Sequence, residues 1–303
     1  MSGRGATARR LVVALPYLWL MLFFLAPFAI VLRIALSEVA SAVPPYQPHF
    51  EGFSKLGEFL SGLDLGNFKT LLDDVLSGDS LYGASYLYSL RIAALTTLFA
   101  LLIGYPLAYA MAVAPKRWQG ALLVFVVLPF WTSFLIRVYA WMGILGPEGP
   151  LDKLLMGLGL TDEPLRLLNT EAAVLIGMVY SYLPFMVLPL FASLQKFDRS
   201  LLEAAADLGA TPLTAFLTVT LPLSLPGILA GAALVFIPCV SEFVIPDLLG
   251  GPDTLMIGGV IWNEVFSNRD WPLASAIAIA LLVVLVLPLV LLQRARVARE
   301  RAA

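Results

Sequence analysis

The stretch AAVLIGMVYSYLPFMVLPLFASL, Ala172–Leu194, contains no charged side chain. At a rise of about 1.5 Å per helical residue, a run of that length crosses a hydrocarbon core about 30 Å thick. Five further apolar segments flank it, at roughly Leu11–Leu36, Ala84–Val113, Ala121–Leu145, Pro226–Leu249 and Leu273–Leu292. Lipid offers no partner to a backbone N–H or C=O, so spanning segments are helices or closed barrels, and continuous apolar runs indicate helices. The sequence therefore predicts an all-α integral membrane protein with six transmembrane helices, forming one transmembrane domain over residues 1–303.

Composition leads to the same class. Of 303 residues, 60% are hydrophobic and 13% charged, against about 25% charged in soluble domains, and the mean hydropathy is +0.88. A net charge of −2 excludes bulk electrostatic binding to nucleic acid. One cysteine, Cys239, and one histidine, His49, exclude a disulfide framework and a multi-cysteine or histidine-ligated metal site. Both are read as packing and loop residues.

The first span begins after Arg9 and Arg10 and is followed by the small residues Ala40, Ser41 and Ala42, as in a signal peptide. Its apolar run exceeds the roughly 7–15 residues of a signal core, so it is read as an uncleaved helix. Basic residues set the expected orientation. With both termini cytoplasmic, the inner segments hold Arg4, Arg9, Arg10, Lys116, Arg117, Lys196, Arg199, Arg294, Arg296, Arg299 and Arg301. The outer ones hold only Lys55, Lys69, Lys153, Arg166 and Arg269. The first outer stretch, Ser37 to Gly83, is acidic, with Glu38, Glu51, Glu58, Asp64, Asp73, Asp74 and Asp79. An outer loop near Gly146–Thr170 and an inner loop over residues 195–225 are the other long connections.

The inner loop contains DRSLLEAAADLGATP, Asp198–Pro212, which reads as two short helices with their punctuation. Ser200 and Glu203 have capping-box spacing, while Asp198 is an equally good N-cap. Gly209 suits a left-handed helix end. Thr211 and Pro212 suit the N-cap and first position of the next helix. Leu201, Leu202, Ala205 and Leu208 form an apolar stripe, and the polar face carries Glu203 and Asp207. A helix lying on lipid favours Lys or Arg there, so the acidic face indicates a protein partner.

At these residues the chain resembles the permease subunits of type I ABC importers. Glu203-Ala204-Ala205, then Gly209, then Val219-Thr220-Leu221-Pro222 follow the family signature E-A-A-x3-G-x9-I-x-L-P, with Val219 in place of Ile. The resemblance implies a type I ABC importer permease fold. It also makes Glu203, Ala204, Ala205, Gly209, Leu221 and Pro222 residues of a helix that couples to an ATPase. PFWTSFLIR (Pro129–Arg137), SEFVIPDLLGGP (Ser241–Pro252) and NRDWP (Asn268–Pro272) resemble the putrescine and spermidine permeases within that family. The implied partners are two ATPase subunits, a second homologous permease and an external substrate-binding protein, in a bacterial inner membrane.

No G-x-x-x-x-G-K-[ST] phosphate loop occurs in the sequence. The chain is therefore expected to be non-enzymatic and to carry no cofactor, with ATP and Mg held by the partner ATPase. Charged residues within spans are costly and mark function by default, and Arg137, Glu242 and Asp247 are of this kind. Counted along straight helices, Arg137 and Glu242 both lie about 24 Å from the inner face and could pair, while Asp247 lies nearer the outer mouth. Glu242 and Asp247 either accept a cationic amine, or Glu242 is neutralised by Arg137 and fixes packing. Trp131, at mid-span, is a cation–π candidate or a packing residue, and Trp141 and Tyr139 suit the interface. Pro238 and Pro246 bracket Glu242, indicating an irregular, pathway-lining fifth span. Pro184 and Pro189 suggest the same of the fourth. A permease for another small solute remains an alternative. A secondary transporter would need internal repeats and ion ligands, and a membrane enzyme clustered catalytic groups; neither is visible.

Overall fold

The computed structural model describes residues 3–49, 57, 61–78, 80–198 and 200–302, with side chains from residue 12 onward except 288–289, 291–293 and 295–302. Glu51, Lys55, Glu58, Asp79 and Arg199, and the side chains of Arg4, Arg9, Arg10, Arg296, Arg299 and Arg301, lie outside the described residues. In chain order come α1 (Gly3–Leu20), a π-helical turn (Met21–Leu25), α2 (Ala26–Ala35), β1 (Glu38–Val39), β2 (Tyr46–Gln47), α3 (Gly66–Leu76) and α4 (Leu81–Val113). Then follow α5 (Lys116–Val127), a 3-10 turn (Leu128–Trp131), α6 (Phe134–Leu145), α7 (Pro150–Gly157), α8 (Glu171–Gln195), α9 (Ser200–Asp207) and α10 (Pro212–Ala215). A second π-helical turn (Phe216–Thr220) leads into α11 (Leu221–Val240), followed by α12 (Val244–Leu249), a 3-10 turn (Pro252–Thr254), α13 (Ile257–Phe266) and α14 (Trp271–Ala302). The chain divides into two compact units, Met1–Ala84 with Val260–Ala303, and Ser85–Gly259.

In the first unit, the large apolar side chains from Val12 to Leu25 are exposed, the surface expected of a helix facing lipid. Near its far end α2 is covered: Ala35, Ala276 and Ile279 form a small core with Phe28, Val31 and Phe68. The Asn67 side-chain amide donates to the carbonyls of Ala35 and Ser37 at 2.9 and 2.7 Å, satisfying groups that the helix end leaves free. The ribbon β1–β2 is antiparallel, with Val39 opposite Tyr46.

The acidic stretch from Ser37 to Gly83 does local work in this unit. Asp64 Oδ1 accepts the Gly66 amide at 2.8 Å. Asp74 accepts the Ser80 hydroxyl at 2.8 Å and the amides of Leu81 and Tyr82 at 3.2 and 3.0 Å, capping the first turn of α4. Burial pulls the Asp74 carboxyl up, but the Ser80 hydroxyl and the amides of Tyr82, Leu81 and Gly83 outweigh it and leave the group below its ordinary value. Glu264, nearly buried, accepts the Tyr82 hydroxyl at 3.1 Å and the Asn268 amide at 2.9 Å.

The second unit is built around α8. Thr170 caps it, its hydroxyl accepting the Ala173 amide at 3.3 Å, a contact worth about 1 kcal/mol. The partner packed most extensively on α8 is α11, and glycines permit the approach. A Cβ on Gly227 would stand 2.5 Å from Ser193 Cβ, and one on Gly231 would stand 2.8 Å from Met186 Sδ. Spacing of four residues puts both glycines on one face, the small-xxx-small contact common between membrane helices.

The spans depart from six straight helices. Among the described residues, four helices are long and apolar enough to cross a membrane: Val12–Ala35, Leu81–Val113, Glu171–Gln195 and Pro212–Val240. The expected third span is a bent pair, Lys116–Trp131 and Phe134–Gly157, meeting at 88°, and counts as a fifth if it is one crossing. Pro129 has no N–H for the ladder, and the extended Thr132 then ends the 3-10 turn. The fifth span starts earlier than expected, at Pro212 within the supposed loop, and stops at Val240. The sixth falls on α14, whose described apolar part is Trp271–Leu287.

Candidate functional site

Two places in the second unit gather the residues singled out by sequence. The first is α9 with its flanks. The Gly209 amide donates to the Ala206 carbonyl at 2.9 Å and the Ala210 amide to the Ala205 carbonyl at 3.0 Å. Gly209 itself has φ +81°. This paired 5→2 and 6→1 closure is the Schellman end that a glycine permits without strain. Thr211 then accepts the Thr214 amide at 3.2 Å, and Pro212 opens α10.

At the front of α9 the cap is Asp198 rather than a Ser200–Glu203 box. Its Oδ1 accepts the Ser200 amide at 3.0 Å, and its carbonyl accepts the Leu201 amide at 3.2 Å. The hydrogen bond from Ser200 holds the Asp198 carboxyl below its ordinary value. Glu203 and Ala204 are exposed, Ala205 is half-buried, and Leu201, Leu208 and Leu213 are exposed apolar residues, Leu208 at 89%. Of the apolar stripe, Leu201 and Leu208 are thus exposed, while Leu202 and Ala205 are half-buried. Beside it opens a cavity of about 1250 Å³ lined by Lys116, Gln119, Gln195, Leu202, Glu203 and Thr220, among others. Gln119 ties its rim, donating to the carbonyls of Ala112 and Ala114 and accepting the Gln195 amide at 3.1 Å.

Leu221 and Pro222 stand where the second π-helical turn rejoins α11. The Leu221 amide bonds back to the Phe216 carbonyl, an i→i+5 closure. Pro222 cannot donate, so the ladder must already be irregular here.

The second place is where the third and fifth spans break. α11 ends at Val240 and α12 begins at Val244, and Glu242 occupies the gap. Its Oε1 accepts the amides of Phe243, Val244 and Ile245 at 3.1, 2.9 and 3.5 Å, and its Oε2 accepts the Tyr182 hydroxyl at 2.6 Å. The expected Glu242–Arg137 pair does not form. The 88° bend removes the straight helix on which equal depth was reckoned. Arg137 instead stacks its guanidinium 4.9 Å from the Phe130 ring centroid and 5.8 Å from that of Phe134, and its buried Nε and Nη1 have no hydrogen-bond partner.

Phe130 meets Phe185 edge-on at 5.3 Å, and Phe185 lies beside Tyr182 at 6.1 Å. One face of α8 therefore joins the two breaks. Trp131, at the bend, is 77% exposed. Asp247 is exposed in the first turn of α12. Trp141 packs edge-on against Tyr180 at 5.3 Å, so it is a packing residue as well as an interface candidate.

Sequence reasoning passed over three polar features. Arg91 and Glu171 form a salt bridge between α4 and the start of α8; Arg91 lies within an expected span, and that lone charge was the available signal. Tyr182 is polar at the centre of the apolar fourth span. Asp152, nearly buried in α7, accepts the Leu165 amide at 3.1 Å and folds the Gly146–Thr170 loop onto itself.

Comparison with known proteins places this geometry. The family described as "Binding-protein-dependent transport system inner membrane component" matches residues 100–301. The spermidine/putrescine transport system permease protein PotB of Haemophilus influenzae is 38% identical over 287 residues, 95% of this chain and 93% of that protein. PotB of Escherichia coli is 43% identical over 231 residues, 76% of this chain and 82% of that protein. Among solved structures, a bacterial alginate ABC transporter in complex with an alginate-bound periplasmic protein superposes with a TM-score of 0.66 at 19% identity, covering 95% of this chain and 94% of that one. The MetNI methionine ABC transporter gives 0.53 at 18% identity over 73% of this chain and 95% of that one; these two show the fold alone. The expected type I ABC permease fold is thereby shown, and the chain belongs to the family of binding-protein-dependent transport system inner membrane components, the non-enzymatic permeases of ABC transporters.

Proposed function

We propose that this chain is a permease subunit of an ATP-driven importer for spermidine and putrescine. The observation that carries the reading is the 38–43% identity to spermidine/putrescine permeases over most of the chain. It sits in the inner membrane with both termini cytoplasmic, beside a second homologous permease. Two ATPases bind ATP and Mg on the inner side, and an external binding protein delivers cargo; this chain holds no cofactor. A binding-protein-dependent transport system as the setting is common to the family.

The coupling role falls to Glu203, Ala204, Ala205 and Gly209. The exposed acidic and small side chains of α9 offer an ATPase a charged contact and close approach, and the bare leucines give it apolar area to bury. Leu221 and Pro222 fix where the helix that follows α9 regains its regular ladder and continues as α11.

The pathway role falls to the two breaks. Asp247 is an exposed carboxylate that can meet a cationic amine. Glu242 works on cargo chiefly by holding the break, because its oxygens already accept three amides and a hydroxyl. Trp131 presents an exposed ring at the other break, suited to a cation–π contact. Arg137 lines the same region, and a fixed positive charge there disfavours idle occupation by a polycation.

The test is uptake of labelled putrescine and spermidine by a host lacking its own polyamine importers and supplied with this complete transporter. Saturable uptake of either amine supports the proposal. Uptake of neither, with the complex assembled in the membrane, overturns it.

A further inference from the structure

The second π-helical turn lies between the α9–α10 segment and the membrane part of α11, and α4 grips it on both flanks. Before the turn's end, the Phe216 ring stands edge-on to Tyr105, with centroids 5.7 Å apart and planes at 90°. It is edge-on to Tyr109 as well, at 6.4 Å and 88°. Tyr105 and Tyr109 are one helical turn apart, so together they cup the ring. Beyond the turn, the Tyr105 hydroxyl lies 2.9 Å from Ser224 Oγ. Ser224 already donates its proton to the Leu221 carbonyl at 2.9 Å, so Tyr105 is the donor between the two hydroxyls. One tyrosine therefore holds both sides of an irregular turn.

That turn is the compliant section of an otherwise continuous helix from Pro212 to Val240. It closes through the i→i+5 bond from Leu221 to Phe216, Pro222 supplies no amide, and the Thr218 hydroxyl donates instead to the Thr214 carbonyl at 2.7 Å. An extra residue in a helical turn can be absorbed or released as the helix rotates, and such turns recur at functional sites. Left alone, it would dissipate a movement of α9 before α11 responded. Tyr109 and Thr220 also line the cavity that reaches Leu202 and Glu203, which puts the grip next to the coupling helix.

The geometry points to Phe216, Tyr105, Tyr109 and Ser224 as positioning residues for coupling. They bridge the π-helical turn, so a displacement of α9 is carried into α4 as well as along α11. This assignment rests on reading α9 as the ATPase-docking helix. α4 is a useful recipient because Gly104 sets it against Met186 and Val187 of α8, the helix that joins the two broken spans.

The test uses the full complex in proteoliposomes and reads three quantities: ATPase retained on purification, ATP hydrolysed, and labelled spermidine taken up. In Phe216→Ala the ATPase stays bound and hydrolysis continues, while uptake per ATP falls about tenfold, the scale of losing two edge-to-face ring contacts. Phe216→Tyr keeps the ring and restores the ratio. Tyr105→Phe keeps the packing and loses only the hydroxyl; it lowers the ratio about threefold, the scale of one net hydrogen bond. Adding Ser224→Ala to it gives no further loss. An unchanged ratio in Phe216→Ala and Tyr105→Phe, with the ATPase bound, overturns the bridge. Should Phe216→Ala fail to fold, Tyr105→Phe decides alone. If the wild-type complex retains no ATPase, or if Glu203→Arg retains it fully, the reading of α9 is what fails.

Discussion

The segment around α9 and the pair of broken spans are built from the same parts, short helices meeting at irregular joints, yet their joints are specified differently. At α9 every joint is local. Asp198, Gly209, Thr211 and Pro212 each act within a few residues of their place in the chain. At the fifth-span break, Glu242 accepts the next three amides and adds a bond from far away, the Tyr182 hydroxyl sixty residues earlier. A helix that must be handled as a unit by a partner profits from ends that are self-sufficient. A break that lines a path profits from ends that depend on the surrounding helices, because it then changes only when they move.

The largest expected effect comes from destroying the long-range joint. Glu242→Ala leaves three amides and the Tyr182 hydroxyl without their acceptor and should lower stability by about 2–4 kcal/mol, read as earlier thermal unfolding in lipid nanodiscs, with uptake lost. Tyr182→Phe should reproduce part of that loss and add little to Glu242→Ala. Gly209→Val acts on the local joint, where φ is +81°. A β-branched side chain there should cost about 1–2 kcal/mol, seen as weaker ATPase retention with the transition of the membrane part unchanged. If Gly209→Val instead unfolded the whole chain, the α9 joint would not be self-sufficient.

Asp247→Asn should leave stability and ATPase retention as they are and raise the amine concentration for half-maximal uptake several-fold, roughly the 0.5–1 kcal/mol of a partly exposed charge contact. The smallest effect concerns Asp198. Its carboxyl is more acidic in the folded protein than in the unfolded chain, so its capping contribution is complete above the ordinary value of 3.8. It fades as pH falls through the lowered folded value. ATPase retention should therefore be flat from neutral pH down to that range, and Asp198→Asn, which keeps an acceptor oxygen, should barely change it.

This contrast also explains what could be read without coordinates. The punctuation of α9 was legible because glycine, threonine and proline carry their conformational preferences with them. Fold class followed from apolar runs such as Ala172–Leu194. Pro238 and Pro246 did indicate an irregular fifth span around Glu242, but Pro184 and Pro189, which suggested the same of the fourth, lie inside the continuous α8. Proline therefore gives no unique sign of a break, and the bend after Pro129 was not legible. Reckoning depth at a fixed rise per residue then misplaced Arg137 relative to Glu242. The helical start at Pro212 was hidden for a different reason. Thr211 and Pro212 did announce a helix, but Thr214, Thr218 and Thr220 interrupt the apolar run by which a span is recognised, whereas Thr214 and Thr218 bond along the helix itself. In the acidic stretch from Ser37 to Gly83, spacing alone does not single out Asp64 and Asp74, whose carboxylates accept amides of neighbouring segments.

The most direct test of the account is spermidine accumulation in proteoliposomes that contain this permease with its partner permease, ATPases and binding protein. The account requires accumulation that depends on ATP in the compartment facing α9 and on the loaded binding protein on the opposite side. Accumulation driven by an ion gradient after the ATPases are removed, or ATP-dependent import of an unrelated solute with no response to spermidine or putrescine, would contradict it.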